Sequence, residues 1–293
     1  MLIRQKAVLA LLRRVDRQLT RTEFVKLIFL LRHETDLSSD GTFYDFVPYR
    51  YGPFSFALYR EVANLRRDGY LIDDDDHIGI SDDNIALVEE KVEELPKTFD
   101  EAIKKTLRLH GDKDLKRLLK DVYARYPWYA INTELKDLHP KPPVRARTAC
   151  AAVYTAGYQG KSVDAFLDHL LRSGIRLLID VRANPVSRRY GFSKGQLSDI
   201  AKRLGLDYQH IPDLGIPSRY RTGLSDYNSY QRLLRKYEDE MIPHLGHEID
   251  QLGRLMEATP AVLMCMEKDV RCCHRSRLAD AVCQRTGLKV KHI

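Results

Sequence analysis

The stretch Arg176-Leu177-Leu178-Ile179-Asp180-Val181 decides the fold of the second half of the chain. Its apolar residues follow one another without polar alternation, which is typical of a strand buried on both faces of a parallel sheet. Residues 151–155 and 261–266 are further predicted strands. Helical patterns separate these strands, and such alternation indicates a mostly parallel sheet with helices on both faces.

The residues around this strand predict a Rossmann-like α/β domain over residues 151–293. Ser162 and Ser193 each stand just before a helical pattern and predict helix caps. The predicted elements are a strand at 151–155, a helix at 163–172, a strand at 176–181, a helix at 194–204, a strand at 207–211, helices at 227–242 and 243–258, a strand at 261–266, a helix at about 274–285 and a strand at 289–293.

The first half of the chain has a different pattern, with helices ahead of a short hairpin. Helical spacing covers residues 2–17, 23–32 and 55–67, and Thr20 or Thr22 is expected to cap the second of these helices. Strands at 70–72 and 77–80 then flank an acidic turn at 73–76. This order is typical of a winged helix-turn-helix. We predict a mainly helical, winged-helix-like domain over residues 1–138, with a helical extension at 98–125.

A motif in this half carries a family resemblance. Tyr49-Arg50-Tyr51-Gly52-Pro53-Phe54-Ser55, with Leu58, Leu65 and Gly69-Tyr70-Leu71 behind it, resembles the Panacea-like domains of antitoxins and phage-associated proteins. The resemblance implies a winged-helix-like domain used for protein or DNA contacts, and it fixes no catalytic residue. In the alternative interpretation, Gly52-Pro53 only sets the turn into a helix. The acidic hairpin tip counts against a wing that touches phosphate.

Length and composition set further limits. A chain of 293 residues favours two domains, and the proline- and arginine-rich residues 139–150 are the predicted linker between them. Five cysteines, an odd number, do not suggest a secreted disulfide framework. We find neither a membrane-spanning apolar segment nor the pattern of a signal peptide, so the expected location is the cytoplasm, away from membranes.

The net charge of +7 favours an anionic partner. We expect DNA or RNA, with a nucleotide or another anionic ligand as a further possibility and a homodimer as a possible assembly. The stretch from Lys104 to Lys120 is rich in basic residues. Most such runs are solvated helix faces, and a track for phosphates is the alternative.

Polar residues cluster where the predicted strands end. In open parallel sheets, ligands bind beyond the carboxyl ends of the strands, so these residues are expected to meet. The candidate site residues are Gly157, Tyr158, Asp180, Arg182, Ser187, Arg188, Cys265, Glu267, Cys273, His274 and Arg275, with His210 as an ambiguous neighbour.

The same segments resemble the domain-of-unknown-function 488 family. The resemblance rests on residues 154–158, 178–187 and 208–215, and on Leu263-Met264-Cys265-Met266-Glu267 with Cys273-His274-Arg275. It implies the α/β fold class over the second domain and names no reaction. At Ala156-Gly157-Tyr158 the family usually has isoleucine, glycine and histidine, so Tyr158 stands in the place of that histidine.

The reactive groups are assigned from their surroundings. Cys273 precedes a predicted helix whose N-terminus attracts anions and lowers a thiol's pKa, so it is a candidate nucleophile, or its loop holds a phosphate with Arg275. Glu267 is the candidate acid–base group, and a salt bridge to Arg182 or Arg275 is its alternative role. Asp180 either orients a partner such as Arg182 or His274, contacts a ribose hydroxyl, or holds its loop. The remaining candidates are assigned to substrate binding, and Cys265 is equally well explained as a core residue.

Three interpretations of the site remain open. Cys265 and Arg271 fit the C-x5-R spacing of rhodaneses and related phosphatases, although the intervening loop lacks glycine and contains two acids. Cys265, Cys273 and His274 form a possible zinc set with Glu267 as acid–base partner. However, their spacing matches no zinc signature and adjacent residues rarely chelate one ion, so no metal ligand is assigned and no cofactor is identified.

The third interpretation is a nucleotide or nucleic-acid site built on arginines. It requires the fewest assumptions and leads to the favoured hypothesis of a nucleic-acid-associated protein of DNA metabolism, repair or phage defence. The alternatives are a cysteine enzyme of rhodanese or phosphatase type, and a non-enzymatic regulator or antitoxin-like binding protein.

Overall fold

The computed structural model describes residues 1–15, 17–74, 76–138, 147–221, 223–224 and 226–293. These residues form two compact units, Met1–Arg145 and Ala146–Ile293. Most of the predicted linker lies outside the described residues, as does Asp75 of the predicted acidic turn. No helix of the described ranges is long and apolar enough to cross a membrane.

The N-terminal unit is mainly helical. Its elements are α1 (Ile3–Val15), β1 (Leu19–Thr20), α2 (Arg21–His33), β2 (Val47–Tyr49), β3 (Gly52–Phe54), α3 (Phe56–Arg67), β4 (Leu71–Asp73), β5 (His77–Ile80), α4 (Ile85–Glu93), α5 (Lys97–His110) and α6 (Leu115–Arg125).

Local signals explain where these helices begin. Thr20 forms a capping box with Glu23 at the start of α2, and the Ser55 side chain accepts from the Leu58 N–H at the start of α3. Asp114 caps α6, which splits the predicted helix at 98–125 into α5 and α6. Strands β1, β5 and β4 form an antiparallel sheet in that order, and a core of buried leucines, phenylalanines and tyrosines fills the unit.

A second hairpin, between β2 and β3, was not predicted. Gly52 has φ 92°, a conformation that glycine adopts without strain, and it pairs with Tyr49 across the turn. A Cβ at this position would lie 2.5 Å from the Cε1 atom of Tyr123. Gly52 therefore serves a hairpin and a close ring contact, whereas the sequence suggested only a turn into the next helix.

The C-terminal unit alternates strands and helices. Its elements are β6 (Val153–Gly157), α7 (Val163–Arg172), β7 (Leu177–Asp180), α8 (Lys194–Arg203), β8 (Asp207–His210), α9 (Tyr227–Lys236), α10 (Gly246–Ala258), β9 (Ala261–Cys265), α11 (Arg275–Thr286) and β10 (Val290–His292).

The five strands form one parallel sheet flanked by helices, in the order β10-β6-β9-β7-β8. The predicted α/β class with a parallel sheet is confirmed. Strands β6, β7 and β9 are buried along their whole length, which explains their apolar sequences. One face of the sheet packs on α10 and α11 through residues such as Leu252, Met256, Leu278 and Val282.

One predicted helix is broken. The helix was expected at 227–242, but the regular α-helix α9 ends at Lys236. A π-helical turn at Tyr237–Met241 and a 3-10 turn at Ile242–His244 follow it. The Tyr237 side chain is fully buried, and its hydroxyl donates to the Leu214 carbonyl at 2.7 Å. The irregular turn thus places this ring beneath the carboxyl edge of the sheet.

Candidate functional site

The register of the sheet brings the candidate residues to one edge. Gly157 pairs with Cys265, and Asp180 lies opposite Met264 and His210, so four strands end at the same level. Glu267, Cys273 and His274 lie in the loop between β9 and α11. Asp180 and Glu267 are therefore on the same side of the sheet, where the sequence placed them.

Asp180 belongs to a saturated network of buried polar groups, which we call the Asp180 network (Asp180, Arg182, Tyr158 and Tyr208). Arg182 donates from Nε to Asp180 Oδ1 at 2.8 Å and from Nη2 to Oδ2 at 2.6 Å. Its Nη1 donates to the Tyr158 hydroxyl at 3.0 Å, and Nη2 also reaches the Phe192 carbonyl at 2.9 Å. The Tyr208 hydroxyl and the Arg182 backbone N–H donate to Asp180 as well.

The charges of this network balance each other. Burial lowers the pKa of Arg182, but the hydrogen bonds and charge of Asp180 outweigh it, so the pKa is raised overall. Burial and the Asp180 charge raise the pKa of Tyr208. Asp180 is fully buried and Arg182 is 5% exposed. These contacts hold the loop after β7, and they leave Arg182 with little donor capacity for a ligand.

A second buried cluster lies at the end of β9, and we call it the thiol cluster (Cys265, Glu267, Cys273 and His274). Glu267 Oε2 accepts from both thiols, with each sulfur 3.1 Å away. The Cys265 sulfur is 3.7 Å from His274 Nδ1, and His274 Nε2 is 2.9 Å from the Val181 carbonyl. All four residues are buried, with at most 8% of their surface exposed.

The acids of the thiol cluster perturb one another. The hydrogen bond from Cys273 lowers the pKa of Cys265 against the effect of burial, while burial and the neighbouring thiol raise the pKa of Cys273. Burial, followed by the charge of Cys265, raises the pKa of Glu267. Burial lowers the pKa of His274, but the Cys265 charge outweighs it and the pKa is raised. The two thiols are therefore shifted in opposite directions, and Cys265 is the more acidic of the pair.

Arg275 binds the backbone of the loop that carries Glu267 and does not pair with the Glu267 carboxylate. Arg275 donates from Nη1 to the Glu267 carbonyl at 2.6 Å and from Nη2 to the Lys268 carbonyl at 3.3 Å. A Cβ on Gly157 would overlap the Glu267 carbonyl oxygen, so glycine permits β6 to approach this loop. The alternative role considered for Glu267, a salt bridge to Arg182 or Arg275, is wrong, because Arg182 pairs with Asp180 and Arg275 binds backbone carbonyls.

The Glu267 carboxylate forms an ion pair with Arg221, a residue that the sequence analysis did not single out. Arg221 Nη1 lies 3.3 Å from Glu267 Oε1. Arg221, Glu267 and His274 line a cavity of about 220 Å³, whose other walls are mostly apolar and include Tyr230 and Met266. Arg221 follows β8 at a distance of several residues, and nothing in its local sequence signals that it turns back toward β9.

Other candidates surround these two clusters. The Tyr158 ring is buried and stacks on Phe192, with centroids 4.1 Å apart. Ser187 shapes the loop after β7 through hydrogen bonds with Arg189 and Ser193, whereas Arg188 is exposed. His210 Nε2 is 2.8 Å from the Arg182 carbonyl.

The C-x5-R segment does not close around Cys265. The Arg271 side chain is 73% exposed and forms an ion pair with Asp269 at 2.8 Å. Cys265 itself is fully buried. The guanidinium of Arg271 is thus held away from the thiol by the acid that the sequence already marked as unfavourable for an anion cradle.

Three possible metal ligands converge in the thiol cluster. The Cys265 and Cys273 sulfurs and one ring nitrogen of His274 all lie within 4.8 Å of one another. Cys273 has extended backbone geometry (φ −133°, ψ 134°) and His274 has helical geometry (φ −58°, ψ −22°). This change of conformation directs both side chains to one point, so the argument against adjacent ligands does not hold in this loop.

Comparison with known families supports the assignment of the second unit. Residues 162–282 match the family model described as Domain of unknown function DUF488, which agrees with the resemblance seen in the strand-end motifs. No curated protein matches the chain. The matched segment contains both clusters except for Tyr158.

Proposed function

We propose that the chain is a nucleic-acid-associated protein whose C-terminal unit binds, and where it is catalytic processes, a nucleotide unit at the carboxyl edge of the sheet. The observation that carries the proposal is a rim of cations at this edge. The loops after β6, β7, β8 and β9 each contribute at least one exposed or half-exposed basic side chain: Lys161, Arg188, Arg189, Arg219 and Lys268.

The cavity beside the thiol cluster fits such a ligand. Apolar walls and the half-buried Tyr230 suit the face of a base, and Arg221 supplies a charge for an attached phosphate. The loop after β7, residues 181–193, carries the exposed Arg188 and Arg189 and contains no acidic residue. A nucleic-acid backbone bound at this loop would therefore meet positive charge without a neighbouring acid from the same loop.

The N-terminal unit supports the same function. Apart from the β2–β3 hairpin before α3, the order of helices and strands, with an antiparallel sheet of β1, β5 and β4, resembles that of a winged helix and supports this interpretation. Several basic side chains on α5 and α6 are exposed, namely Lys105, Arg108, Lys116, Arg117 and Lys120. Together with the Panacea-like motif, these features favour a protein of DNA metabolism, repair or phage defence.

Fluorescence anisotropy with a labelled single-stranded DNA and an RNA of the same sequence tests the proposal. The full chain should bind with an affinity that falls steeply from low to physiological salt, because phosphate contacts release counterions. Arg188→Ala/Arg189→Ala should weaken binding several-fold and reduce the salt slope by roughly 0.7 for each lost contact.

Lys202→Ala/Arg203→Ala is the matched control. It removes the same charge from exposed positions at the end of α8, next to the amino end of β8. The control should bind nearly as well as the wild type. Equal losses in both double variants, or an affinity that ignores salt, would reject a site at the carboxyl edge.

A cysteine enzyme is the second candidate, favoured by the lowered pKa of Cys265. Alkylation at neutral pH, read by peptide mass spectrometry, distinguishes the two. A nucleophilic Cys265 would react ahead of the exposed Cys150, whereas a Cys265 without nucleophilic function would be labelled last because it is fully buried.

A further inference from the structure

The thiol cluster brings two thiols, a carboxylate and an imidazole together in a buried place. Glu267 lies within hydrogen-bond distance of both Cys265 and Cys273, and all three residues are buried. The cation in contact with the carboxylate is Arg221, at 3.3 Å. Thiolates, carboxylates and imidazoles are the side chains that bind zinc, and binding the ion releases the protons that the thiols carry.

We propose that the thiol cluster is a zinc site in which Cys265, Cys273 and His274 are ligands and Glu267 occupies the fourth position. Zn²⁺ would offset the charge of two thiolates, and Arg221 pairs with the carboxylate. This inference concerns the metal alone and does not rest on nucleic-acid binding.

The distances between the donor atoms agree with tetrahedral coordination. A zinc ion bound at about 2.3 Å to sulfur and about 2.0 Å to nitrogen holds those two atoms roughly 3.5 Å apart. The Cys265 sulfur and His274 Nδ1 are 3.7 Å apart. Glu267 Oε2 lies 3.1 Å from each sulfur, so an outward shift of a few tenths of an ångström would open the space for the ion.

The surroundings orient each ligand as a metal site requires. His274 Nε2 donates to the Val181 carbonyl, so Nδ1 carries the free lone pair that faces the thiols. Arg221 holds Oε1 of Glu267 and leaves Oε2 toward the sulfurs. Tyr237 packs edge-on against the His274 ring, with centroids 5.5 Å apart, and so limits its rotation.

The donor set selects the metal and defines its access. Two thiolates and an imidazole favour Zn²⁺ over Mg²⁺ or Ca²⁺, which prefer oxygen ligands. Glu267 and His274 line the cavity of about 220 Å³, so the fourth position is the one that faces a ligand. Cys265, at the end of β9, would hold the zinc ion from within the protein, and a ligand would approach the ion from the cavity.

Metal uptake by the full chain, without an affinity tag, tests the proposal. The chain is first treated with a chelator and then supplied with Zn²⁺. Elemental mass spectrometry should then find about one zinc ion per chain. Co²⁺ in place of Zn²⁺ should give the visible absorption of tetrahedral cobalt and a sulfur-to-cobalt charge-transfer band. Cys273→Ser and His274→Ala should lower zinc affinity more than about 100-fold, and Glu267→Gln about 10- to 100-fold.

Cys272→Ser is the matched control, because Cys272 neighbours Cys273 in sequence but lies outside the cluster. It should bind zinc within about twofold of the wild type, as a change away from the ligands does. If the wild-type chain binds far less than one zinc, or if its cobalt complex shows no thiolate band, the proposal is wrong even where a variant fails to fold. An equal loss in Cys272→Ser would also overturn it.

Discussion

Two buried polar clusters lie at the same sheet edge, and they differ in how their charges are balanced. In the Asp180 network one carboxylate meets one guanidinium, and two tyrosines take up remaining hydrogen-bonding capacity. In the thiol cluster three acids meet one another, with Arg221 on the outer side. Burial alone therefore does not identify a functional site. The difference supports a role of the Asp180 network in holding its loop, and it is the basis of our proposal that the thiol cluster binds a cation.

Breaking the Asp180 network should have the largest effect on stability. Arg182→Leu leaves the fully buried Asp180 carboxylate without its counter-charge, and such losses cost about 3–5 kcal/mol of unfolding free energy. Urea unfolding followed by circular dichroism measures this, while fluorescence of Trp128 reports the N-terminal unit. Arg285→Ala, which breaks an exposed ion pair with Asp250, should cost less than about 1 kcal/mol. Similar costs in both variants would show that the buried Arg182–Asp180 pair contributes no more to stability than an exposed ion pair does.

Lys26 extends the comparison to a buried amine whose pKa no acid of the described residues raises. It is 2% exposed, its ammonium donates to the Pro53 carbonyl at 3.0 Å, and burial lowers its pKa to about 7. An unfolded lysine keeps its proton up to about pH 10. Between pH 7 and pH 10 the unfolded chain binds one proton more than the folded chain at this lysine. The free energy of unfolding should therefore rise by roughly 1.4 kcal/mol per pH unit over this range, and Lys26 should add no pH dependence below pH 7.

Lys26→Met should remove this pH dependence, because methionine has no proton to release. The exposed Lys105→Met is its control and should keep the slope, with a change in stability of about 0.5 kcal/mol or less. Trp128 fluorescence in urea at several pH values measures both variants. A wild-type chain whose stability is flat between pH 7 and pH 9 would show that Lys26 stays charged when buried.

The close approach of β6 to the thiol cluster can be tested at Gly157. In Gly157→Ala the new Cβ overlaps the Glu267 carbonyl oxygen, so the backbone must shift at a cost of about 2–3 kcal/mol. Zinc affinity should fall as well, since Glu267 moves. Gly195→Ala, where the Cβ meets open space in α8, should be neutral or stabilising by up to about 1 kcal/mol. Urea unfolding and zinc competition are the measurements, and a harmless Gly157→Ala would show that the loop adapts.

The sequence predicted the parallel sheet because its signals are local. Buried strands such as Leu177–Asp180 have continuous apolar sequences, and Ser162 marks a helix start with one residue. The strand-end rule also grouped Asp180 with Glu267. The rule did not predict which charged side chains form ion pairs. Arg221 is 46 residues from Glu267 in sequence, and their contact depends on tertiary packing alone. The Gly52 hairpin was missed for a related reason, since the need for glycine there comes partly from Tyr123.

The smallest predicted effect tests whether the Asp180 network is a unit or only an ion pair. The Tyr208 hydroxyl donates to Asp180 Oδ2 at 2.7 Å, the same oxygen that Arg182 Nη2 binds at 2.6 Å. In Tyr208→Phe the carboxylate keeps Arg182 and the backbone N–H, so the expected cost is about 1–2 kcal/mol, as for one hydrogen bond to a charged group. Tyr227→Phe, at an exposed tyrosine, should change stability by less than about 0.5 kcal/mol. Combining Tyr208→Phe with Arg182→Leu decides the point by urea unfolding. A sum of the two single effects would mean that tyrosine and arginine act independently, whereas a coupling above about 0.5 kcal/mol would mean that Asp180 is held by both together.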